Sequence, residues 1–218
     1  MANSTKPLNI LHAVEFYSPS LGGSQEVVKR LSEGMRALGH NVTVATSFLE
    51  ERKEKTIQGV KIEEFKVRGN VADGLVGDVE RYRDFLRKSD FDVVLFYAAQ
   101  QWTFDAALPI LNEIKGKKVF VPCGFSGLQW SMFKDYFEAL PQYLKAFDHL
   151  VFLSDNYRDI NYCRERGFKN ISIIPNGCAF EEFAAIPSES TENELRRKLG
   201  IPENDFLVLH VGTHTGIK

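Results

Sequence analysis

Hydrophobic residues along most of the chain fall into short apolar runs that alternate with longer amphipathic stretches. The apolar runs are typical of β-strands and cover residues 10–14, 42–46, 60–67, 92–97, 118–122, 149–153 and 171–174. The stretches between them have helical spacing and predict helices over residues 24–38, 77–88, 103–115, 128–147 and 155–166. The charged residues 48–57 between two of the strands predict a solvated loop. The alternation of strands and helices predicts an α/β fold with a doubly wound, Rossmann-like parallel sheet.

The first strand and the first helix are joined by a loop that ends in Gly22 and Gly23, with Ser24 opening the helix. Glycine leaves the backbone bare, and the helix N-terminus presents unpaired N–H groups and the positive end of its dipole. This arrangement favours a phosphate or another anion. Doubly wound sheets bind ligands beyond the carboxyl ends of their strands. The candidate functional segments are therefore residues 15–24, 97–102, 122–127, 154–156 and 175–178.

The pattern changes after residue 178. Residues 179–193 are rich in Ser, Glu and Thr, as linkers often are, and a short helix and a fresh apolar strand over 206–211 follow. We expect a first domain at residues 1–178, a linker with a short helix at 179–205, and the beginning of a truncated second domain at 206–218. An exposed strand of this kind offers an edge through which the chain could form oligomers.

Composition narrows the class of protein. The chain has 218 residues, 44% of them hydrophobic, and 27 basic against 29 acidic residues give a net charge of -2, which argues against a nucleic-acid partner. No apolar run approaches the roughly 20 residues that span a bilayer, and the N-terminus lacks the apolar segment of a secretory signal. Cys123, Cys163 and Cys178 show neither disulfide nor metal-site spacing. These features predict a cytoplasmic protein with free thiols and no metal.

The common nucleotide motifs are absent from the sequence. There is no G-x-G-x-x-G, and Thr46 and Ser47 stand at the end of the second strand, where a dinucleotide site has an acid. The glycine loop also lacks the G-K-[ST] of a triphosphate-binding loop. The pattern therefore argues against both a dinucleotide cofactor and a triphosphate site, and we expect no cofactor.

Four motifs in the right order resemble the nucleotide-sugar glycosyltransferases of family 4, which have the GT-B fold of two doubly wound domains. They are P-x-x-G-G at residues 19–23, L-G-H-x-V-T-V at 38–44, I-P-N-G at 174–177 with an acidic-Phe group at 181–183, and a glycine loop at 211–218. The resemblance covers essentially the whole chain. It implies that the chain is the N-terminal, acceptor-side domain of such an enzyme with a stub of its donor-binding domain.

The resemblance implies a retaining, hexosyltransferase-like transfer of a sugar from a nucleoside-diphosphate donor to an acceptor hydroxyl. It also implies that the chain alone is inactive, because the missing C-terminal domain holds the nucleotide. Gly22, Gly23 and Ser24 match the loop that approaches the donor diphosphate. Lys218 matches a lysine that contacts the donor phosphates, while Thr213 stands where the family usually has arginine. The sugar, the base, the acceptor and the catalytic residues stay open.

Candidate residues for an acceptor pocket lie at the carboxyl ends of the predicted strands or just beyond them. They are Glu15, Tyr97, Gln100, Cys123, Gly124 and Trp130. Carboxylate, amide and aromatic groups suit the hydroxyls and ring faces of sugars. The family often has a histidine-glycine pair where this chain has Cys123 and Gly124, and a cysteine does not reproduce the hydrogen bond or the charge of histidine.

Two other functions stay open at this point. One is a non-catalytic α/β binding module, and the other is a different GT-B enzyme, such as a nucleotide-sugar epimerase. Basic residues at 81–88 and 115–118 form either a solvated surface or a weak contact with an anionic membrane at its inner face. The sequence beyond Lys218 would discriminate between an enzyme and a binding module.

Overall fold

The computed structural model describes residues 6–178, 189–202 and 204–210. The chain divides into two compact units, Met1–Asn176 and Gly177–Lys218. The first unit contains the sheet and the helices that pack on it. The second contains one helix among its described residues, Glu189–Lys198. The division falls next to residue 178, where the composition changes.

The first unit is built on an eight-stranded sheet and a separate two-stranded hairpin. The sheet strands are β1 Asn9–Ala13, β2 Asn41–Ser47, β3 Thr56–Ile57, β4 Val60–Phe65, β7 Val93–Tyr97, β8 Lys117–Val121, β9 His149–Phe152 and β10 Ile171–Ile173, and the hairpin strands are β5 Val67–Asn70 and β6 Gly74–Gly77. The order in the sheet is β10-β9-β8-β7-β1-β2-β4-β3. Paired neighbours are parallel apart from β3, which runs antiparallel to β4 at the edge. The predicted fold class is confirmed.

The helices lie between the strands. They are α1 Gly23–Ala37, α2 Val79–Lys88, α3 Trp102–Asp105, α4 Lys134–Leu144, α5 Arg158–Glu165 and α6 Glu189–Lys198, with 3₁₀ turns at Leu108–Glu113 and Ser131–Phe133. The helix predicted over 103–115 is divided: α3 is a single turn, and a 3₁₀ segment begins at Leu108 with Pro109 in its first turn. Proline has no N–H to donate and clashes with the preceding turn, so an unbroken α-helix is disfavoured there.

Alternate residues of the strands face opposite sides of the sheet, and both sides are covered. Phe120 belongs to one hydrophobic cluster and its neighbour Val121 to the other. On the first side, the rings of Phe104 and Phe120 stack with their centroids 4.1 Å apart. The sheet is therefore a packed platform from which the loops project.

Three sequence-based expectations are wrong in detail. The strand expected over 60–67 is two strands, because β4 ends at Phe65 and β5 opens the hairpin. The charged segment 48–57 is not simply a solvated loop, because Arg52 is buried within it. The strand expected over 206–211 is not formed in its described part: residues 206–210 carry no paired strand, and Phe206 is 93% exposed. Residues 211–218 lie outside the described residues.

Candidate active-site crevice

The crevice lies where the sheet reverses its order of connection. The strand β1 has β2 on one side and β7 on the other, so the loops that leave β1 and β7 separate at their carboxyl ends. We call residues 15–24 the glycine loop, residues 98–101 the β7 loop and residues 122–130 the β8 loop. Ligands of doubly wound sheets bind at such a switch point.

Glu15 begins the glycine loop with its backbone fixed from both sides. Its N–H donates to Oε1 of Gln101 at 3.1 Å. Its carbonyl accepts from the Thr46 hydroxyl at 3.0 Å and from the Ser47 N–H at 2.9 Å. These bonds join β1 to the β7 loop on one side and to β2 on the other. The backbone therefore holds Glu15 in place without help from its side chain.

The carboxylate of Glu15 is half-buried and makes no hydrogen bond or ion pair with the part of the chain that the structure describes. Burial, and then the negative charge of Asp105, raises the pKa of this carboxyl to about 7. Near neutral pH the group therefore exists in both forms. The ionised form accepts a hydrogen bond and the protonated form can also donate one.

Asp105 lies beneath the β7 loop and is almost completely buried. Its Oδ2 accepts from the Val71 N–H at 2.9 Å, and its Oδ1 accepts from the Tyr136 hydroxyl at 2.9 Å. The Gln100 N–H donates to the Tyr136 oxygen at 3.2 Å. Burial raises the pKa of Asp105 to about 6 although these hydrogen bonds favour the ionised form. One acid thus joins the hairpin, α4 and the β7 loop.

Four residues other than glycine adopt left-handed backbone conformations in two neighbouring loops. Ala98 and Gln100 have φ of 68° and 61°, and Cys123 and Phe125 have φ of 59° and 47°. Each such residue costs about 1–2 kcal/mol, and strain of this kind gathers at functional sites where the surrounding structure holds it. Here the Ala98 N–H donates to the Val121 carbonyl at 2.8 Å, which joins the β7 loop to the end of β8.

The N–H groups of the β8 loop are occupied by acceptors from the chain itself. The Gly127 N–H donates to Gln100 Oε1 at 3.1 Å, and the Gly124 N–H donates to Asp159 Oδ2 at 2.8 Å. Arg158 Nε in turn donates to the Gly124 carbonyl at 2.8 Å. A Cβ at position 127 would lie 2.3 Å from Gln100 Nε2, so the contact requires glycine. This loop is fixed internally and leaves these N–H groups unavailable to an anion.

Cys123 and Tyr97 lie at the ends of adjacent strands, close enough for each to affect the pKa of the other. Burial raises the pKa of the Cys123 thiol, so the thiol is neutral at ordinary pH. Burial likewise raises the pKa of Tyr97. Tyr97 and Cys123 therefore contribute uncharged side chains to this side of the crevice.

The glycine loop differs from the β8 loop, whose N–H groups are occupied by acceptors of the chain. The helix α1 begins at Gly23 and has no side-chain cap. A Cβ at Gly22 would lie 2.5 Å from Gln25 Oε1, whereas a Cβ at Gly23 would meet no described atom within 4 Å. Ser24 directs its hydroxyl to Gln25 Oε1 at 2.9 Å. The start of α1 is therefore open, and the packing of the chain does not itself require glycine at position 23.

A buried arginine, which the sequence analysis missed, holds the glycine loop. Arg52 Nε and Nη2 donate to the carbonyls of Ser18 and Tyr17 at 2.7 and 3.0 Å, and Nη1 donates to the Ser47 carbonyl at 2.9 Å. Nη1 also pairs with Glu64 Oε1 at 2.5 Å, and the two side chains are 1% and 3% exposed. No local pattern marks this residue, because its partners are far apart in the sequence.

The structure brings most of the predicted site residues to the crevice loops but sets one apart. Glu15, Tyr97, Gln100, Cys123 and Gly124 occupy the strand ends and loops described above. Trp130 lies at the end of the β8 loop and lines a separate groove of about 360 Å³ beside α4 and α5. Lys218 lies outside the described residues.

The described residues contain no group of three or more His, Cys, Asp or Glu side chains placed to hold a metal ion. No helix among them has the length and apolar character needed to cross a bilayer. The basic residues considered for a membrane surface are mostly paired with acids: Arg83 with Glu80, Lys88 with Asp84, and Lys117 with Asp148, for example. Their charges are largely cancelled locally.

The architecture is that of one Rossmann-like half of a GT-B glycosyltransferase. Among solved structures, sucrose-phosphate synthase (tll1590) from Thermosynechococcus elongatus superposes with a TM-score of 0.65 at 12% identity, over 90% of this chain and 53% of that one. A glycosyltransferase from Rickettsia africae ESF-5 gives 0.58 at 17% identity, over 92% and 51%. Anabaena Alr3699/HepE, in complex with UDP and glucose, gives 0.57 at 13% identity, over 88% and 50%.

The family follows from the sequence itself. The model of Glycosyltransferase Family 4 matches residues 21–182, which is well over half of the chain, and the chain belongs to this family. The expected family resemblance is confirmed. No curated protein gives a significant match. The chain spans about half the length of the structures it resembles.

Proposed function

We propose that this chain is the acceptor-side part of a retaining, hexosyltransferase-like glycosyltransferase. The whole enzyme would transfer a sugar from a nucleoside-diphosphate donor to an acceptor hydroxyl. The observation that carries the proposal is the open start of α1 at the switch-point crevice, inside the segment that the family model matches. Because the chain spans about half the length of its structural neighbours, the activity is proposed for the whole protein.

The donor diphosphate would approach the start of α1. A glycine that the packing does not require is explained by a ligand that needs close approach to the backbone, and Gly23 is such a residue. The first N–H groups of α1 and its dipole favour a phosphate there. A structural neighbour that is bound to UDP and glucose supports this class of donor. Lys218 would contact the donor phosphates from a second domain.

The acceptor would lie against Glu15 and the β7 loop. Glu15 supplies a carboxylate without a partner among the described residues, and Gln100 and Gln101 supply amides held by Gly127 and by the Glu15 backbone. Asp105 lies close enough to Glu15 for its negative charge to raise the pKa of the Glu15 carboxyl. The same two acids would repel an anionic group on the acceptor at this point. We therefore propose a neutral hydroxyl as the nucleophile.

The division of labour between two domains is tested with the 218-residue chain and the whole enzyme side by side. For the chain alone, we expect no release of nucleoside diphosphate from UDP-glucose and no micromolar binding of UDP-glucose by calorimetry. For the whole enzyme, NMR of the product should show the anomeric configuration of the donor. Stoichiometric micromolar binding of UDP-glucose to the chain alone would refute this division.

Cys123 favours a second candidate, a binding module without catalysis. The family's histidine at this place could donate a hydrogen bond and carry charge, whereas burial keeps the Cys123 thiol neutral. In that case the whole protein should bind a nucleotide sugar and transfer nothing. A nucleotide-sugar epimerase would instead return the donor with one inverted carbon, which product analysis of labelled donor distinguishes.

A further inference from the structure

The groove beside Trp130 is distinct from the switch-point crevice. It is formed by the end of the β8 loop, the first turns of α4 and one side of α5. Its volume of about 360 Å³ lies within the range of roughly 300–1,000 Å³ that small-molecule sites occupy. Of its lining residues, Phe137 and Tyr162 are buried and Leu128 is half-buried, whereas the polar residues Gln129, Ser131, Lys134, Glu138 and Arg166 are exposed.

The two tryptophans of the chain are placed very differently. Trp102 is fully buried, and its indole N–H donates to Ser47 Oγ at 2.8 Å. Trp130 is 45% exposed although it is among the largest apolar side chains available to a core. The face of an indole ring is electron-rich and attracts the C–H groups of a sugar ring, which carry partial positive charge. An exposed indole on the wall of a groove is therefore suited to a sugar.

Lys134 and Glu138, which both line the groove, form one pair of opposite charges, and Arg166 of the lining pairs with Glu165, which lies outside it. Lys134 Nζ lies 3.9 Å from Glu138 Oε1, and Arg166 Nη1 lies 3.9 Å from Glu165 Oε2. The two pairs together carry no net charge, so a phosphate gains little from entering. Charged side chains remain strong hydrogen-bond partners for neutral hydroxyls.

The guanidinium of Arg166 is held in one orientation. It lies 3.7 Å from the centroid of the Tyr162 ring, and Nη1 donates to the Tyr162 carbonyl at 3.1 Å. A planar donor held against an aromatic ring loses less freedom when it binds a ligand, which favours a defined hydrogen-bond pattern. The groove thus combines buried apolar residues, an exposed indole and a fixed guanidinium, and sites that bind carbohydrates have this composition.

We propose that this groove binds a neutral carbohydrate, and that in the whole enzyme it holds an inner sugar unit of an oligosaccharide acceptor. The β8 loop supports the second part, because Gln100 in the crevice holds Gly127 and the backbone N–H of Trp130 donates to the Gly127 carbonyl at 2.9 Å. The role in acceptor binding rests on the proposed function, whereas carbohydrate binding by the groove does not.

The 218-residue chain can be tested directly with maltotriose, cellotriose, chitotriose and mannotriose as probes. We expect at least one trisaccharide to shift the indole N–H resonance of Trp130 and to protect it from acrylamide quenching, while the signals of buried Trp102 stay unchanged. Trp130→Ala and Arg166→Ala should each weaken binding about tenfold or more, as truncation of a central contact does. Met132→Ala, an exposed neighbour outside the groove lining, should bind as the unaltered chain does.

The proposal is overturned if none of the four trisaccharides affects Trp130, or if Trp130→Ala binds them unchanged. It is also overturned if UDP or phosphatidylglycerol vesicles perturb Trp130 more strongly than every trisaccharide, which would indicate a nucleotide or a membrane instead. In the whole enzyme, Trp130→Ala should raise KM for an oligosaccharide acceptor and leave KM for the donor unchanged. Trisaccharide binding by a protein that transfers no sugar would refute the proposed function and the acceptor role that rests on it, but not carbohydrate binding by the groove.

Discussion

The two sides of the switch-point crevice are held in different ways. On one side, the glycine loop is fixed by a buried ion pair, Arg52 with Glu64, and its helix start is left open. On the other side, the β7 and β8 loops adopt left-handed backbone conformations and are fixed by Asp105 and Gln100. Both arrangements order the loops beside the crevice, but different backbone and side-chain groups remain available to a ligand.

Because the two sides are held differently, they offer a ligand different hydrogen-bonding groups. The start of α1 has uncapped N–H groups, whereas the β8 loop donates the N–H groups of Gly124 and Gly127 to Asp159 and Gln100. Under the proposed function, the phosphate would therefore bind on the glycine-loop side, where α1 has no side-chain cap. The β7 and β8 loops offer the Gln100 amide and the neutral side chains of Tyr97 and Cys123, which suit hydroxyls. Glu15 itself lies at the beginning of the glycine loop. The following variants test this division, beginning with the largest expected effect.

Loss of the buried arginine should have the largest effect. Arg52→Met removes a donor from three backbone carbonyls, of which that of Tyr17 still accepts from the Ser20 N–H. It also takes from buried Glu64 one of two cationic partners and leaves Lys55. Together these losses should cost about 3 kcal/mol of unfolding free energy. Urea denaturation measures this. The control is Lys88→Met, which breaks an exposed pair with Asp84 and should hardly move the urea midpoint. Equal midpoints for the two variants would show that Arg52 does not hold the loop.

The same pair predicts an acid sensitivity. Burial opposes ionisation of Glu64, but hydrogen bonds from Lys55, the Leu49 N–H and Arg52 outweigh it and lower the pKa from its ordinary value of 4.5. A lowered pKa in the folded state gives stability that is present above about pH 4.5 and is lost as pH falls through the lowered value. In Arg52→Met this loss on acidification should be smaller.

On the opposite side, Asp105→Asn should cost about 1–3 kcal/mol, because an amide cannot accept from both the Val71 N–H and the Tyr136 hydroxyl as the carboxylate does. It should also lower the pKa of Glu15, since it removes a nearby negative charge. Urea denaturation and a carboxyl-carbon NMR titration measure the two effects. Asp73→Asn, in the exposed hairpin turn, is the control. An unchanged Glu15 titration in Asp105→Asn would mean that the two acids are not coupled.

Local patterns in the sequence were enough to predict the sheet and the glycine loop. Apolar runs mark buried strands wherever they fall, and Gly22 and Gly23 mark the break before α1, so the fold class and the strand ends followed directly. The hairpin β5–β6 was missed because its glycine-rich strands resemble a loop, and its strands pair with each other rather than with the sheet.

The contacts that shape the crevice could not be predicted in the same way. Arg52 was assigned to a solvated segment because its neighbours are charged, but its partners at residues 17, 18, 47 and 64 come together only in the folded chain. Ala98 and Gln100 have no local preference for a left-handed conformation, which is imposed by bonds to Val121 and Tyr136. Such features depend on tertiary contacts, which sequence periodicity does not record.

Replacement of Glu15 should change the stability of the chain less than Arg52→Met or Asp105→Asn, and should stabilise it where they destabilise it. The folded pKa of Glu15, about 7, lies above the ordinary 4.5, so the folded chain binds the proton more tightly and loses stability as pH rises between these values. Glu15→Gln removes that loss and should stabilise the chain at pH 8 by about 1 kcal/mol, a value reduced for partial exposure to solvent, with no gain near pH 4. Thermal denaturation across this pH range is the measurement. A gain that is the same at pH 4 and pH 8 would exclude titration as its cause.

The smallest change in stability should be the most informative about function. Gly23→Ala places a methyl group where no described atom lies within 4 Å, so the folded chain should be unharmed or gain about 0.5 kcal/mol from a more rigid helix start. Gly22→Ala instead meets the Gln25 side chain and should lose a similar small amount. In the whole enzyme, Gly23→Ala should lower kcat/KM for the donor tenfold or more, because the methyl group would stand between the backbone and the phosphates. If the Gly23→Ala enzyme is stable and its donor kinetics are unchanged, the donor phosphate does not bind on the glycine-loop side. The proposed division between the two sides is then refuted.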